Sequence, residues 1–292
     1  MRTERLKALL WREWKLSRKF YLSSWAALLG MMLVYVLFEM SMRFGNLRSL
    51  DADELTAVRM AISFLAISVA AYGPIAAAGS DNGMHKKDIQ ANWLRYSYTL
   101  PVAPNERAAA RMILLVMMQA VGFLLSVLGL AFALRMVNWQ FSLYTVLILL
   151  VILDISLLVI LVQYALVLRA RDMKAYAAQQ TKFISVMIGA GVVVGLLAAR
   201  KMSHFASPDG TVSPALQEAA SQFEKKLVTS PYSIKLFDLV NLMTMGHGAQ
   251  FIETAKHLLP LTIPLTVVLY VLLYLVIRSN LKGAWKHDRS AL

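Results

Sequence analysis

The sequence predicts an all-α, polytopic membrane protein with six transmembrane helices. Hydrophobic residues make up 58% of the chain, and they gather into long blocks instead of alternating with charged residues. Soluble domains contain about 45–50% apolar residues, whereas a transmembrane helix needs ~20 consecutive, mainly apolar ones. Because the blocks lack the alternating pattern of a barrel, helices are the structures that can satisfy the backbone in lipid.

The predicted spans are blocks that approach a membrane thickness and contain almost no Asp, Glu, Lys or Arg. Numbered 1 to 6 in chain order, they are residues 20–38, 60–80, 112–134, 137–168, 183–199 and 258–277. Asp154 alone interrupts the fourth block. Residues 1–19 are too long and too charged for the n-region of a secretory signal, so we expect span 1 to be a retained helix.

The net charge of +13 is informative through its placement along the chain. Basic residues concentrate in four segments, residues 1–19, 81–111, 169–182 and 278–289. By the positive-inside rule all four are cytoplasmic, which makes six spans self-consistent and places both termini inside. A basic surface also suits an anionic lipid leaflet, so the charge requires no nucleic-acid partner.

The segments outside the spans are unequal, and we treat residues 1–292 as one membrane domain. Residues 1–19 have apolar residues on one helical face and basic residues on another, which predicts an amphipathic interface helix. Residues 200–257 form a long extracytoplasmic segment. Within it, residues 233–245 are apolar but too short to span, so a re-entrant helix and a helix packed beneath the spans both remain open.

A cytoplasmic elbow at residues 81–111 joins spans 2 and 3. Its first half mixes apolar and aromatic residues with charged ones, which favours a docking surface for another protein over a plain loop. The residues that we assign to this surface are Lys86, Lys87, Asp88, Trp93 and Arg95.

The second half of the elbow predicts the start of a helix. Pro104 suits the first helical position, and Glu106 can reach back to the Ala103 amide while complementing the positive end of the helix. This helix continues into span 3, so a displacement of the elbow would move a transmembrane helix. Leu100, Pro101 and Arg107 complete the elbow.

The sequence contains no motif that predicts an enzyme. There is no GxxxxGK[ST] phosphate loop, and no pair of histidines at metal-ligand spacing. The absence of cysteine excludes disulfides and thiol chemistry. We therefore assign no catalytic residue, no metal and no cofactor to this chain.

Two features inside the spans are candidate sites. Asp154 is costly to bury as a charge, so it is either a functional group or a structural tie to a neighbour such as Gln119, Ser126 or Arg59. Gly191 and Gly195 form a small-xxx-small face on span 5, which suits helix packing or a dimer interface.

With its basic amphipathic N-terminal helix, its cytoplasmic elbow and its long outer segment before span 6, the chain resembles the permease subunits of ABC-2 type exporters. At the elbow, "SYTLPVAPNERAAARMI" provides Leu100, Pro101, Glu106, Arg107 and Arg111 at positions of the family pattern, although Ala103 stands where the family often has Ser or Thr. Among these permeases it is most similar to the six-span subunits of bacterial peptide and toxin exporters.

The resemblance implies a bacterial plasma-membrane protein that forms a dimer with a second copy or a paralogue. Each permease would dock a separate ATPase subunit through residues 86–95, with the N-terminal helix nearby, and that subunit would bind ATP and Mg²⁺. The substrate path would lie between the permeases and carry amphipathic peptides or other hydrophobic compounds. Alternatives are an ion- or proton-coupled carrier that uses Asp154, and a non-transporting scaffold or sensor.

Overall fold

The computed structural model is helical in the residues that it describes. It describes residues 3–45, 54, 58, 72–73, 84–93, 102–136, 143–205, 217–218, 220–222, 224–225 and 259–289, none of which lies in a β-strand. In chain order the helices are α1 (Thr3–Phe44), α2 (Met84–Gln90), α3 (Pro104–Met136), α4 (Leu143–Val167), α5 (Met173–Phe205) and α6 (Thr262–Arg289). A short 3₁₀ turn, Leu259–Leu261, precedes α6.

Five of these helices, all except α2, are long and apolar enough to cross a membrane. They coincide with predicted spans 1, 3, 4, 5 and 6, so the all-α prediction is confirmed for the described residues. Apart from Tyr72 and Gly73, predicted span 2 lies outside the described residues, as does the segment 233–245. The architecture is compatible with a multi-pass membrane protein.

The first helix is longer than its predicted span. α1 contains 42 residues, about 63 Å at 1.5 Å per residue. The sequence predicts an interface helix at residues 1–19 and a span that begins at residue 20, whereas the structure has one unbroken helix across both. No Gly or Pro occurs before Gly30, so nothing in the sequence interrupts the hydrogen-bond ladder there.

Helices α1 and α3 lie side by side and run in the same direction. Near their starts, Arg111 Nε lies 3.7 Å from Glu13 Oε2. Farther along, Tyr21 packs with Met118, and the Met32 side chain lies against Gly129. Because both helices advance by nearly the same number of residues between these contacts, position n of α1 is level with about position n+97 of α3.

Helices α4 and α6 also run in one direction, opposite to α3. Thr266 contacts Asp154, while Arg278, near the end of α6, bonds to Asn105 at the start of α3. The core between these three helices is apolar. Its buried residues are Ala108, Met112, Leu115, Leu153, Leu157, Ile160, Tyr164, Leu168, Leu269, Leu273 and Ile277.

Helices α4 and α5 form a tight hairpin. The Asp172 carboxylate accepts a hydrogen bond of 2.7 Å from the Ala175 amide and so caps α5. Beyond this turn α5 diverges from the rest, and none of residues 173–197 is buried. Its outer surface is therefore left for lipid or for another protein.

The four basic segments meet at one end of the bundle. Residue Arg12 of the first pairs with Asp88 of the second, and His85 reaches Ala170 at the start of the third. Arg278 of the fourth bonds to Asn105. The described starts of α1 and α3 and the ends of α4 and α6 thus share one end, which we call the basic end.

Candidate functional site

Helix α2 is amphipathic and lies at the basic end. Its buried residues are Met84, His85, Asp88 and Ile89, whereas Lys86, Lys87 and Gln90 are exposed. The helix ends where Asn92 adopts a left-handed conformation, with φ of 51°, and its amide bonds to the Ile89 carbonyl at 3.1 Å. Asn tolerates this conformation better than most residues.

Asp88 is the centre of a buried charge cluster that joins three helices. Only 4% of Asp88 is exposed, and its two carboxylate oxygens face Arg12 of α1 and Arg111 of α3, the latter at 3.5 Å. Glu13 completes the cluster by pairing with both arginines, at 2.8 Å and 3.7 Å. Two carboxylates balance two guanidinium groups, so the charges compensate one another locally.

Two further contacts hold α2 and the residues after it against α1. The Arg12 guanidinium lies over the Trp93 ring, 4.0 Å from its centroid, which is a cation–π geometry. Lys87 Nζ donates a hydrogen bond of 2.9 Å to the Leu16 carbonyl. Both charged and aromatic members of the predicted docking surface therefore contact the N-terminal helix.

His85 joins α2 to the hairpin of α4 and α5. Its Nε2 lies 2.9 Å from the Ala170 carbonyl oxygen, a contact that requires the ring proton on Nε2. The His85 ring also lies 6.3 Å from the Tyr176 ring. Nothing local in the sequence predicts this role of His85, because the carbonyl that it contacts is 85 residues away.

The predicted start of the helix that continues into span 3 is confirmed. Helix α3 begins at Pro104, and the Ala103 amide donates a hydrogen bond of 3.2 Å to Glu106 Oε2. The Ala103 carbonyl in turn accepts from the Glu106 amide at 2.9 Å. The adjacent positions Arg95, Leu100 and Pro101 lie outside the described residues.

The predicted docking residues thus divide into two groups. Asp88 and Trp93 face other helices of this chain, and Arg107 is partly buried on α3. Lys86 and Gln90 are exposed and form the outward face of α2. Lys87 is also exposed, but its ammonium group bonds to the Leu16 carbonyl of α1. This division follows from the helical periodicity, since residues 84, 85, 88 and 89 share the inward side.

Asp154 is 3% exposed and lies between α4 and α6. Its Oδ1 lies 2.6 Å from the Thr266 hydroxyl, which also lies 2.8 Å from the Thr262 carbonyl. In the described part of the chain, Asp154 Oδ2 has no hydrogen-bond partner, and neither has Ser126 Oγ. The tie that we expected from Gln119 or Ser126 is supplied by Thr266; Arg59 lies outside the described residues.

Gln119 belongs to a second polar contact, one helical turn away along α6. The Tyr270 hydroxyl donates a hydrogen bond of 2.9 Å to Gln119 Oε1 and joins α6 to α3. The two contacts bring polar groups of α3, α4 and α6 into the apolar core. Among the described residues, no group of three His, Cys, Asp or Glu side chains could hold a metal ion.

Glycines mark one close helix approach and one open surface. A Cβ built at Gly73 would overlap Ser126 Oγ and lie 2.7 Å from the Gly122 carbonyl oxygen, so this position admits no larger residue without movement. At Gly191 and Gly195, by contrast, a Cβ would meet no described atom within 4 Å. No described residue therefore covers the small-residue face of α5.

Comparison with known proteins adds no family to this description. The chain matches no model of a known protein family, and it has no significant match among curated proteins or solved structures.

Proposed function

We propose that this chain is the permease subunit of an ATP-driven ABC-2 type exporter in a bacterial cytoplasmic membrane. It would pair with a second permease, which is a copy or a paralogue, and dock a separate ATPase subunit that binds ATP and Mg²⁺. The observation that carries the proposal is the position of α2. This short helix contacts α1, α3 and the α4–α5 hairpin while keeping a basic outward face.

The helix directions support six spans. Lys87 contacts Leu16, whereas Gly45 at the other end of the described segment lies about 43 Å farther along α1. Residues 46–83 therefore connect opposite ends of α1, as a second span would. Residues 206–258 connect the end of α5 to the start of α6, both remote from the basic end, as an extracytoplasmic segment would.

Orientation can be tested directly because the chain contains no cysteine. We expect a membrane-impermeant maleimide to label Ser221→Cys in intact cells, since this exposed position belongs to the predicted outer segment. Gln90→Cys, on the exposed face of α2, should be labelled only after the membrane is opened. The opposite pattern would place the basic end outside and remove the proposed docking surface from the cytoplasm.

The contacts of α2 suggest how ATPase movement would reach the spans. From the sequence, we expect a displacement of the elbow to move span 3. The buried pairs add α1 through Arg12 and the α4–α5 hairpin through His85. A displacement of α2 would therefore act on several helices together, in the manner of a two-state rearrangement of packed elements.

The docking surface is testable at Lys86, which is exposed and outside the charge cluster. We expect Lys86→Glu to reduce co-purification with the ATPase subunit, because a like charge or a lost pair at an interface rim weakens association. Lys174→Glu makes the same charge change on an exposed position of α5 and is the matched control. If both variants retain the ATPase equally, the surface around α2 is not the docking site.

The second candidate function is an ion- or proton-coupled carrier, and it is favoured by the unpartnered buried oxygen of Asp154. In such a carrier Asp154→Asn would abolish transport, Lys86→Glu would have little effect, and transport would continue without ATP. In an ATP-driven exporter the ranking is reversed. Measuring both variants in proteoliposomes with and without ATP therefore separates the two classes.

A further inference from the structure

One outward face of α1 changes character along its length. Trp11, which is 63% exposed, shares this face with exposed basic residues. From Leu22 onward the same face is apolar. The exposed basic residues are Lys7, Lys15, Arg18 and Lys19, and the exposed apolar residues are Leu22, Leu29, Leu33, Leu37 and Met40.

The apolar part of this face has the length of a bilayer core. Leu22 to Met40 covers about 27 Å at 1.5 Å per residue, close to the ~30 Å of a typical hydrocarbon layer. The change from exposed basic to exposed apolar side chains therefore places the headgroup region beside Lys15, Arg18 and Lys19. Trp and basic side chains are the residues enriched at such an interface.

Helix α3, which runs parallel to α1, indicates how deep Arg18 and Lys19 lie in the membrane. From the register of α1 and α3, Arg18 and Lys19 are level with Leu115 and Val116. Leu115 is buried, but Val116 and the next residue, Met117, have exposed apolar side chains. The neighbouring surface at this level is thus lipid-facing. Long basic side chains at such a depth extend their charged ends toward the headgroups.

The described part of the chain supplies no counter-charge to Lys15, Arg18 or Lys19, the cations of this face that lie closest to its apolar part. Glu13 points to Arg12 and Arg111, and Glu4 pairs with Lys7 about three turns away. No ion pair joins Lys15, Arg18 or Lys19 to another described residue. An anion that complements them would come from outside the described chain.

We propose that Arg18 and Lys19, with Lys15, bind the phosphate groups of anionic phospholipids in the adjoining leaflet. The guanidinium and ammonium groups donate hydrogen bonds to phosphate oxygens, and Trp11 lies in the same interfacial layer. The inference rests on the proposed membrane crossing of α1. It does not depend on coupling to an ATPase.

The test measures lipid retained by the full chain. Protein purified in mixed micelles of phosphatidylglycerol and phosphatidylcholine is analysed by native mass spectrometry. We expect the wild type to retain phosphatidylglycerol selectively, and Arg18→Gln/Lys19→Gln to lose about fivefold in affinity for each cation removed. Lys86→Gln/Lys174→Gln removes the same charge from exposed positions on α2 and α5 and should resemble the wild type.

Four outcomes would overturn the proposal. Equal retention of phosphatidylglycerol by wild type and Arg18→Gln/Lys19→Gln would show that these residues bind no lipid. Equal losses in both double variants would show a nonspecific charge effect. Unchanged lipid retention with loss of a protein partner would assign the face to that partner. The exchanged variant Arg18→Lys/Lys19→Arg should retain the lipid, and failure to do so would also count against the site.

Discussion

The charge cluster around Asp88 and the polar contacts around Asp154 both connect three helices, but they differ in electrostatic balance. At the basic end, two carboxylates meet two guanidinium groups, and every charge has an opposite neighbour within 4 Å. In the core, Asp154 meets one neutral hydroxyl, and its second oxygen has no hydrogen-bond partner among the described residues.

This difference in electrostatic balance predicts a different sensitivity to substitution. Each member of the balanced cluster depends on the others, because removing one partner leaves a buried charge uncompensated. The core contacts depend on single hydrogen bonds, which are worth less in a membrane because the separated helices also find partners. We therefore expect the basic end to tolerate substitution poorly and the polar core to tolerate it better.

The largest effect is expected for Asp88→Ala. It leaves Arg12 and Arg111 with Glu13 as their remaining acidic neighbour in the described cluster, and breaking a buried pair costs about 3–5 kcal/mol. The free energy of unfolding in detergent measures this loss. Lys86→Ala, an exposed substitution two residues away, should change it by less than about 0.5 kcal/mol. Similar values for the two variants would contradict the assignment of Asp88 as the cluster's centre.

A smaller effect is expected at the close approach of Gly73 to α3. Gly73→Ala introduces a methyl group against Ser126 and the Gly122 carbonyl, and overpacking typically costs about 1–3 kcal/mol. Gly191→Ala places the same methyl group in open space and should be close to neutral, since nothing described lies within 4 Å. The difference in unfolding temperature between these two variants measures the contact.

Substitutions at the polar contacts in the core should lower the free energy of unfolding by less. Thr266→Val and Tyr270→Phe each remove one hydroxyl that joins α6 to a neighbour, and interhelical hydrogen bonds of this kind average about 0.6 kcal/mol, with a maximum near 1.7. A double-mutant cycle between Thr266→Val and Asp154→Leu isolates the pair. A coupling energy above about 3 kcal/mol would show that the core is as interdependent as the basic end.

Several parts of this structure were predictable from local sequence. The apolar blocks predicted the five long helices, because burial of backbone in lipid requires long uncharged segments. The spacing of Ala103, Pro104 and Glu106 predicted the start of α3, because a helix cap involves residues only three positions apart. The continuity of α1 was not predicted. The side chains change from amphipathic to wholly apolar at residue 20, but the helical backbone continues through this point.

The partners of the buried charges were not predictable in this way. Asp88 pairs with Arg12, 76 positions away, and the basic segments offer many equivalent cations. Which cation reaches Asp88 depends on the parallel packing of α1 and α3. Thr266 was missed for another reason, since a hydroxyl in an apolar helix ordinarily bonds to its own backbone, as Thr266 can to Thr262.

The smallest effect is expected for Glu106→Ala, which removes the exposed contact between Glu106 and the Ala103 amide. A carboxylate at a helix start contributes typically 0.3–1 kcal/mol, through the amide bond and the helix dipole. Glu106→Gln keeps the hydrogen bond without the charge, so it should lose less than Glu106→Ala. If α3 carries motion from the elbow, ATP-driven transport should fall more for Glu106→Ala than this loss of stability explains. Transport that follows stability alone would assign Glu106 only to starting the helix.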